Sequence, residues 1–153
     1  MGLALPIWRV RSVKAARRGN THQFFAPVSV YPTSDGFIYL AVGNDRQWEA
    51  LTGQQGFESL ANEKYKHNAG RIAAVDELNG QLSAIFKNRS TAEMIEMCNK
   101  ISVPVSRVNT VPQVCADPLI ASQLVKARDS RSGIEIAIPP PAVISARLKE
   151  KGL

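Results

Sequence analysis

Cysteines and long apolar runs are scarce in this chain, and each scarcity argues against a class of protein. The two cysteines, Cys98 and Cys115, have neither CxxC spacing nor a histidine nearby, so neither a structural zinc site nor a disulfide scaffold is expected, only reduced thiols. No apolar run approaches the roughly 20 residues that span a bilayer, and Met1 to Ile7 is too short for a secretory h-region. The expected location is therefore cytoplasmic, with no membrane partner. The GxGxxG, P-loop, HExxH and EF-hand patterns are missing, which argues against an independent nucleotide or metal site. No tightly bound cofactor and no metal are expected.

What is present is a basic lead-in followed by a balanced domain. Of a net charge of +6, Arg9, Arg11, Lys14, Arg17 and Arg18 stand before any acid, and the rest of the chain carries 14 basic and 13 acidic residues. Such an arm attracts phosphates, nucleic acid or an anionic surface; its Arg-rich, acid-free composition also suits a solvated tail or an organellar presequence. The charge is confined to the arm and no aromatic stacking pattern is interleaved with it, which argues against nucleic acid. The arm shows no sustained helical or strand period and is expected to add little to a core. At 153 residues the chain has room for one domain of ordinary size.

Residues 28 to 42 read as a β-hairpin, with Ser34-Asp35-Gly36 at the turn and a glycine able to take positive φ. Both alternation sets of its second strand are apolar, so that strand is expected to be covered on both faces. Asn44 or Asp45 caps a short helix with Trp48 and Leu51 inward. Asn68 is expected to cap a long helix in which Val75, Leu78, Leu82 and Ile85 recur at helical spacing while Arg71, Asp76 and Lys87 stay polar. Asn79-Gly80 is a favoured hairpin pair, but its flanks have a period near 3.6, so the helix is kept at a cost of about 1 kcal/mol at Gly80. Ser90 with Glu93, and Thr110 with Gln113, have capping-box spacing, and Asp117-Pro118 sets an N-cap before a first-turn proline. Ile134, Ile136 and Ile138 alternate with Glu135 and Ala137 as in a strand with one wet face. Strands at both ends bracketing helices predict an α+β, two-layer domain with a small antiparallel sheet covered by helices.

Four stretches carry a resemblance. Arg18 to Trp48, His67-Asn68-Ala69-Gly70-Arg71, Val103 to Thr110 and Ala116-Asp117-Pro118 together resemble the small domain of class III CoA-transferases, the family of formyl-CoA transferase, carnitine CoA-transferase and acyl-CoA racemase. The resemblance implies a small domain at 19–143, between the basic arm at 1–18 and a polar tail at 144–153 that composition marks off. It implies that the catalytic aspartate lies upstream, in a large domain, and attacks the donor thioester to give a mixed anhydride and then an aspartyl-CoA thioester. Gly19, Asn20, Thr21, His22 and Gln23 fall where a mobile substrate loop closes over the thioester. Coenzyme A becomes the family substrate, and Arg9, Arg11, Lys14, Arg17 and Arg18 possible attractors of its phosphates. Arg107 stands where the family more often has proline. The partner implied is a separately encoded large domain or a second copy of the chain.

Each carboxylate has a structural post in this reading. Asp35 is in a turn, Asp45 and Asp117 are at helix starts, and Asp76, Glu77, Glu93 and Glu96 lie on helix faces. No catalytic residue is expected in the chain, which is expected to be inactive alone. The competing class is a non-catalytic basic module that binds polyanions or self-associates.

Overall fold

The computed structural model describes residues 4–12 and 16–139, with only the backbone of Ala4 and Arg11. Contacts divide the chain into two units, one ending at Val108 and one beginning at Asn109. The first contains α1 (Ala4–Arg11), β1 (Val28–Pro32), β2 (Phe37–Ala41), α2 (Asp45–Thr52), a 3-10 turn (Glu58–Leu60), α3 (Asn68–Ala73), α4 (Val75–Phe86), α5 (Thr91–Lys100) and β3 (Val105–Arg107). The second contains α6 (Val111–Ala116), α7 (Pro118–Ala121), β4 (Val125–Arg128) and β5 (Glu135–Ile138). The class is α+β with small antiparallel sheets, as expected from strands bracketing consecutive helices.

Helix α1 corrects the expectation that the lead-in has no regular structure. Its Pro6, Ile7 and Val10 line an apolar groove with Phe24, a partner that lies outside any period within the segment itself. Leu5, Trp8 and Val10 remain exposed.

The hairpin forms with Val28 opposite Ala41 and Pro32 opposite Phe37, and β3 joins the far edge of β2 with Tyr39 opposite Ser106. At the turn, Thr33 N–H donates to Gly36 O at 2.9 Å, while the Asp35 carboxylate accepts from the Thr91 N–H and hydroxyl, both at 2.7 Å. Gly36 does not take positive φ, and a Cβ there would stand 3.4 Å from Thr91 Oγ1, an ordinary van der Waals contact, so the expected need for a glycine at this turn is not found.

One face of this sheet carries the core. Ile38 and Leu40 are fully buried against Leu78, Leu82 and Phe86 of α4 and Met94 and Cys98 of α5, with Trp48, Leu51 and Tyr65 completing the cluster. Each fully buried Leu or Phe here is worth about 1.5–3 kcal/mol relative to exposure. The other face corrects the expectation for β2: Phe37 is 53% and Tyr39 39% exposed. Alternation identifies which side chains share a face, but the helices cover only the Ile38 side.

The long helix expected from Asn68 bends at Ala74, whose φ of −115° ends α3 and begins α4. The N-cap is His67, so Asn68 becomes the first helical residue and its side chain is free for other work. The two halves answer to different anchors: α3 to the polar network below, α4 to the sheet and to Tyr31, whose hydroxyl donates to Asn79 Oδ1. Gly80 lies inside α4, as its 3.6-residue context implies. The Ser90–Glu93 capping box forms, Asn44 caps α2 by accepting from Gln47 N–H, and Glu96 and Lys100 pair at 2.7 Å.

In the second unit, Asp117 caps α7 through Leu119 N–H at 2.8 Å. Gln113 Oε1 accepts from Thr110 N–H at 2.8 Å. Strands β4 and β5 pair antiparallel, Val125 opposite Ile138. None of its described side chains is buried, so the dry face expected of β5 is not found: Ile134, Ile136 and Ile138 are all exposed. Among the described residues no helix is long and apolar enough to cross a membrane. Pro140 to Leu153, with the predicted tail, lie outside the described residues.

Candidate functional site

The first turn of a helix leaves backbone N–H groups without intrahelical partners. At α3, Asp45 Oδ1 takes the Asn68 N–H at 3.0 Å. The Asn68 carboxamide then reaches across 42 and 44 positions: its oxygen accepts from Ala26 N–H at 3.1 Å, and its nitrogen donates to Phe24 O at 2.7 Å. One turn on, Arg71 has no exposed surface. Its Nε donates to Ala26 O at 2.6 Å, Nη1 to Tyr65 O and Lys66 O at 2.9 and 3.0 Å, and Nη2 to Asp45 Oδ1 at 2.7 Å. The guanidinium also lies 5.2 Å from the Trp48 ring centroid.

This overturns the expectation that Arg71 keeps to a polar helix face. A buried cation is tolerable when it is paired and its donors are satisfied, and the planar fork of arginine supplies the directions needed. Gly70 makes the geometry possible, because a Cβ there would fall 2.1 Å from Lys64 O. The His67 hydrogen bond to Asp45, at 3.0 Å, and then the Arg71 contact hold the Asp45 carboxyl below the usual range.

What this network grips is the stem of the segment Gly19 to Phe25. Gly19 has φ of +60°, a value that favours glycine. Thr21 folds back on Arg18 O through its N–H at 3.2 Å and its hydroxyl at 2.7 Å. His22 N–H donates to Val28 O at 3.3 Å, and His22 Nδ1 accepts from Phe24 N–H at 3.1 Å. The imidazole stacks on Phe25 with centroids 5.1 Å apart and 22° between planes, and meets Phe24 edge-on at 6.0 Å. Gly19, Asn20 and His22 are exposed; Thr21 and Gln23 are half-buried.

The arm cations Arg9, Arg17 and Arg18 are exposed, whereas Lys14 and the Arg11 side chain lie outside the described residues. Arg107 is exposed on β3. Hydrogen bonds from Thr91 depress the Asp35 carboxyl, and those from Lys64 and Tyr65 depress Glu77. Burial pushes the Cys98 thiol up to about 11, which makes it a poor nucleophile near neutral pH. Among the described residues no group of three or more His, Cys, Asp or Glu is gathered to hold a metal. Period and capping arguments missed Asp45, Asn68 and Arg71 as a unit; the signal was the His67-to-Arg71 stretch, in which Asn68 and Arg71 lie three apart beside a glycine.

Comparison with known proteins gives the class to which this small α+β domain belongs. The CoA-transferase family III profile matches residues 4–147, so the chain belongs to that family. It is 32% identical over 108 residues to the succinate–glutarate CoA-transferase of Agrobacterium fabrum, covering 70% of this chain and 27% of that protein. It is 28% identical over 138 residues to the human succinyl-CoA:glutarate CoA-transferase, covering 89% and 32%. Among solved structures, a CAIB/BAIF family protein from Brucella suis superposes with a TM-score of 0.74 at 28% identity, covering 94% of this chain and 37% of that one. The chain thus spans about a third of the length of these relatives.

Proposed function

We propose that the chain furnishes the substrate-loop portion of a CoA-transferase that moves coenzyme A between an acyl-CoA and a carboxylic acid, with the attacking aspartate supplied by a large domain outside these residues. The observation that carries this reading is the hold of Asn68 and Arg71 on Phe24 and Ala26. It fixes the stem from which Gly19 to Gln23 reach toward the substrate. An acyl anhydride or an aspartyl thioester is open to hydrolysis, and a loop that closes over the reacting carbon excludes water from it. Two relatives are named for succinate and glutarate, which makes short dicarboxylic acids the first acceptors to try. The arm cations Arg9, Arg11, Lys14, Arg17 and Arg18 add a screened attraction for the phosphates of coenzyme A.

Incubation of the chain alone with succinyl-CoA and glutarate is expected to give no glutaryl-CoA; turnover, or a hydroxylamine-sensitive adduct on any of its aspartates, would overturn the reading. A hybrid in which the chain replaces the matching residues of the Agrobacterium protein is expected to transfer CoA. A folded but inert hybrid would count against it.

A non-catalytic module is the second reading, favoured by the bare apolar side chains Val111, Leu119, Val125, Ile134, Ile136 and Ile138. It predicts self-association at micromolar concentration by sedimentation, and salt-sensitive polyanion binding that is lost when the chain is started at Gly19.

A further inference from the structure

Within the loop, one hydrogen-bond donor is aimed and has no partner among the described residues. Because His22 Nδ1 accepts from the Phe24 N–H, a neutral imidazole there carries its proton on Nε2. Nε2 lies across the ring from the nitrogen engaged with the backbone, on an exposed side chain, so it faces away from the Phe24 amide. A surface histidine ordinarily averages over rotamers and both tautomers. Here the Phe24 hydrogen bond, the stack on Phe25 and the His22 N–H bond to Val28 O together select one ring position and one tautomer. The ordering cost that weakens a flexible donor is already met in the free protein. The turn closed by Thr21 on Arg18 O brings Arg18, an exposed cation, to the start of the same loop.

We propose that the His22 Nε2–H binds an acceptor oxygen of the substrate, either a carboxylate oxygen of the acid or the carbonyl oxygen of the acyl thioester. This rests on the substrate-loop reading above and assigns the atom that makes the contact. The residue is a binding residue: it donates a hydrogen bond and exchanges no proton. A donor facing a charged oxygen gains more than one facing a neutral oxygen.

The test uses the full 153-residue chain, 15N-labelled. Long-range proton–nitrogen spectra are expected to show His22 as the Nε2–H tautomer; an Nδ1–H or averaged ring would overturn the proposal. Glutarate, acetyl-CoA and free coenzyme A are then titrated separately. Movement of the Nε2 signal with glutarate identifies a carboxylate as the ligand, and movement with acetyl-CoA alone identifies the thioester. Free coenzyme A, which has neither group, is expected to leave it in place. His22→Phe keeps a ring for the stack but has no donor and should raise the Kd about tenfold, while His22→Gln keeps an N–H near the Nε2 position without the ring that orders it and should fall between His22→Phe and the wild type. Both variants should melt near the wild type. Wild-type affinity in a folded His22→Phe protein would overturn the proposal. If the Asn20 and Thr21 amides shift while Nε2 does not, the loop reading stands and the assignment to His22 fails; if nothing from Gly19 to Phe25 responds to any ligand, both fail.

Discussion

Replacing Arg71 by methionine keeps most of the side-chain length and removes every donor. Four hydrogen bonds disappear, leaving Ala26 O and Tyr65 O as acceptors in a dry environment and depriving Asp45 of its cation. Each orphaned buried acceptor costs about 1–3 kcal/mol, and breaking a buried ion pair by deleting one partner about 3–5 kcal/mol. These figures overlap, since the same desolvation is counted in both, and Asp45, at 40% exposure, recovers hydration. The expected loss is therefore about 4 kcal/mol, a large share of the 5–15 kcal/mol typical of a domain. Urea unfolding followed by tryptophan fluorescence measures it, and Trp48, beside the guanidinium, is a suitable reporter. Arg71→Lys retains the charge but cannot serve four acceptors in fixed directions, so it should fall between wild type and Arg71→Met. Amide exchange should quicken at Ala26, whose N–H depends on Asn68 one turn away. A loss under about 1 kcal/mol for Arg71→Met would refute the account of a buried, fully engaged cation.

Two glycines of neighbouring helices should respond in opposite senses. Gly80→Ala meets nothing within 4 Å and should raise stability by about 0.5–1 kcal/mol, whereas Gly70→Ala places a Cβ 2.1 Å from Lys64 O and should lower it by about 1–3 kcal/mol or more; urea midpoints of both variants decide. Acid should destabilise the chain through Asp35 and Asp45. The Thr91 hydrogen bonds on Asp35 and those of His67 and Arg71 on Asp45 depress the folded-state values, so this stability is present above the unfolded range near pH 4 and is lost as pH falls through the folded values. Asp45→Asn should flatten the fall in urea midpoint below about pH 5, and an unchanged slope would exclude Asp45 as a source. Alkylation with iodoacetamide at pH 7.5 should label exposed Cys115 and spare buried Cys98 until the chain unfolds, as read by peptide mass; fast labelling of native Cys98 would contradict the burial.

The parts of the fold that sequence inspection reaches are those decided by neighbours in the chain. The Ser90–Glu93 box, the Asn44 cap and the Asp117-Pro118 helix start each involve groups within three residues, so residue type and spacing suffice. Gly80 was a conflict between a local turn preference and a longer 3.6-residue pattern, and the longer pattern prevailed because Leu78, Leu82 and Phe86 are all buried on one face. Coverage is a different matter. Nothing in the alternation of Phe37-Ile38-Tyr39-Leu40 says that helices take only one side, and nothing in Ile134-Glu135-Ile136 says that neither side of β5 is covered.

The polar clamp was hidden for the same reason, in sharper form. Its bonds to the loop stem join positions 42 to 45 apart, and none follows from a period. An arginine within a helical pattern is ordinarily read as solvent-facing because burying a lone charge is prohibitive. That inference turns on the word lone. Gly70 permits contact with the Tyr65 and Lys66 carbonyls, Asp45 is already fixed by α2, and Asn68 stands one turn back on the same helix. Once those three are present, burial joins the helix to the loop stem instead of stranding a charge. The informative sequence feature is therefore the conjunction of Asn68, Gly70 and Arg71, two polar groups one turn apart with a residue between them that allows close backbone approach, and its message concerns the loop more than 40 residues away rather than the helix that contains it.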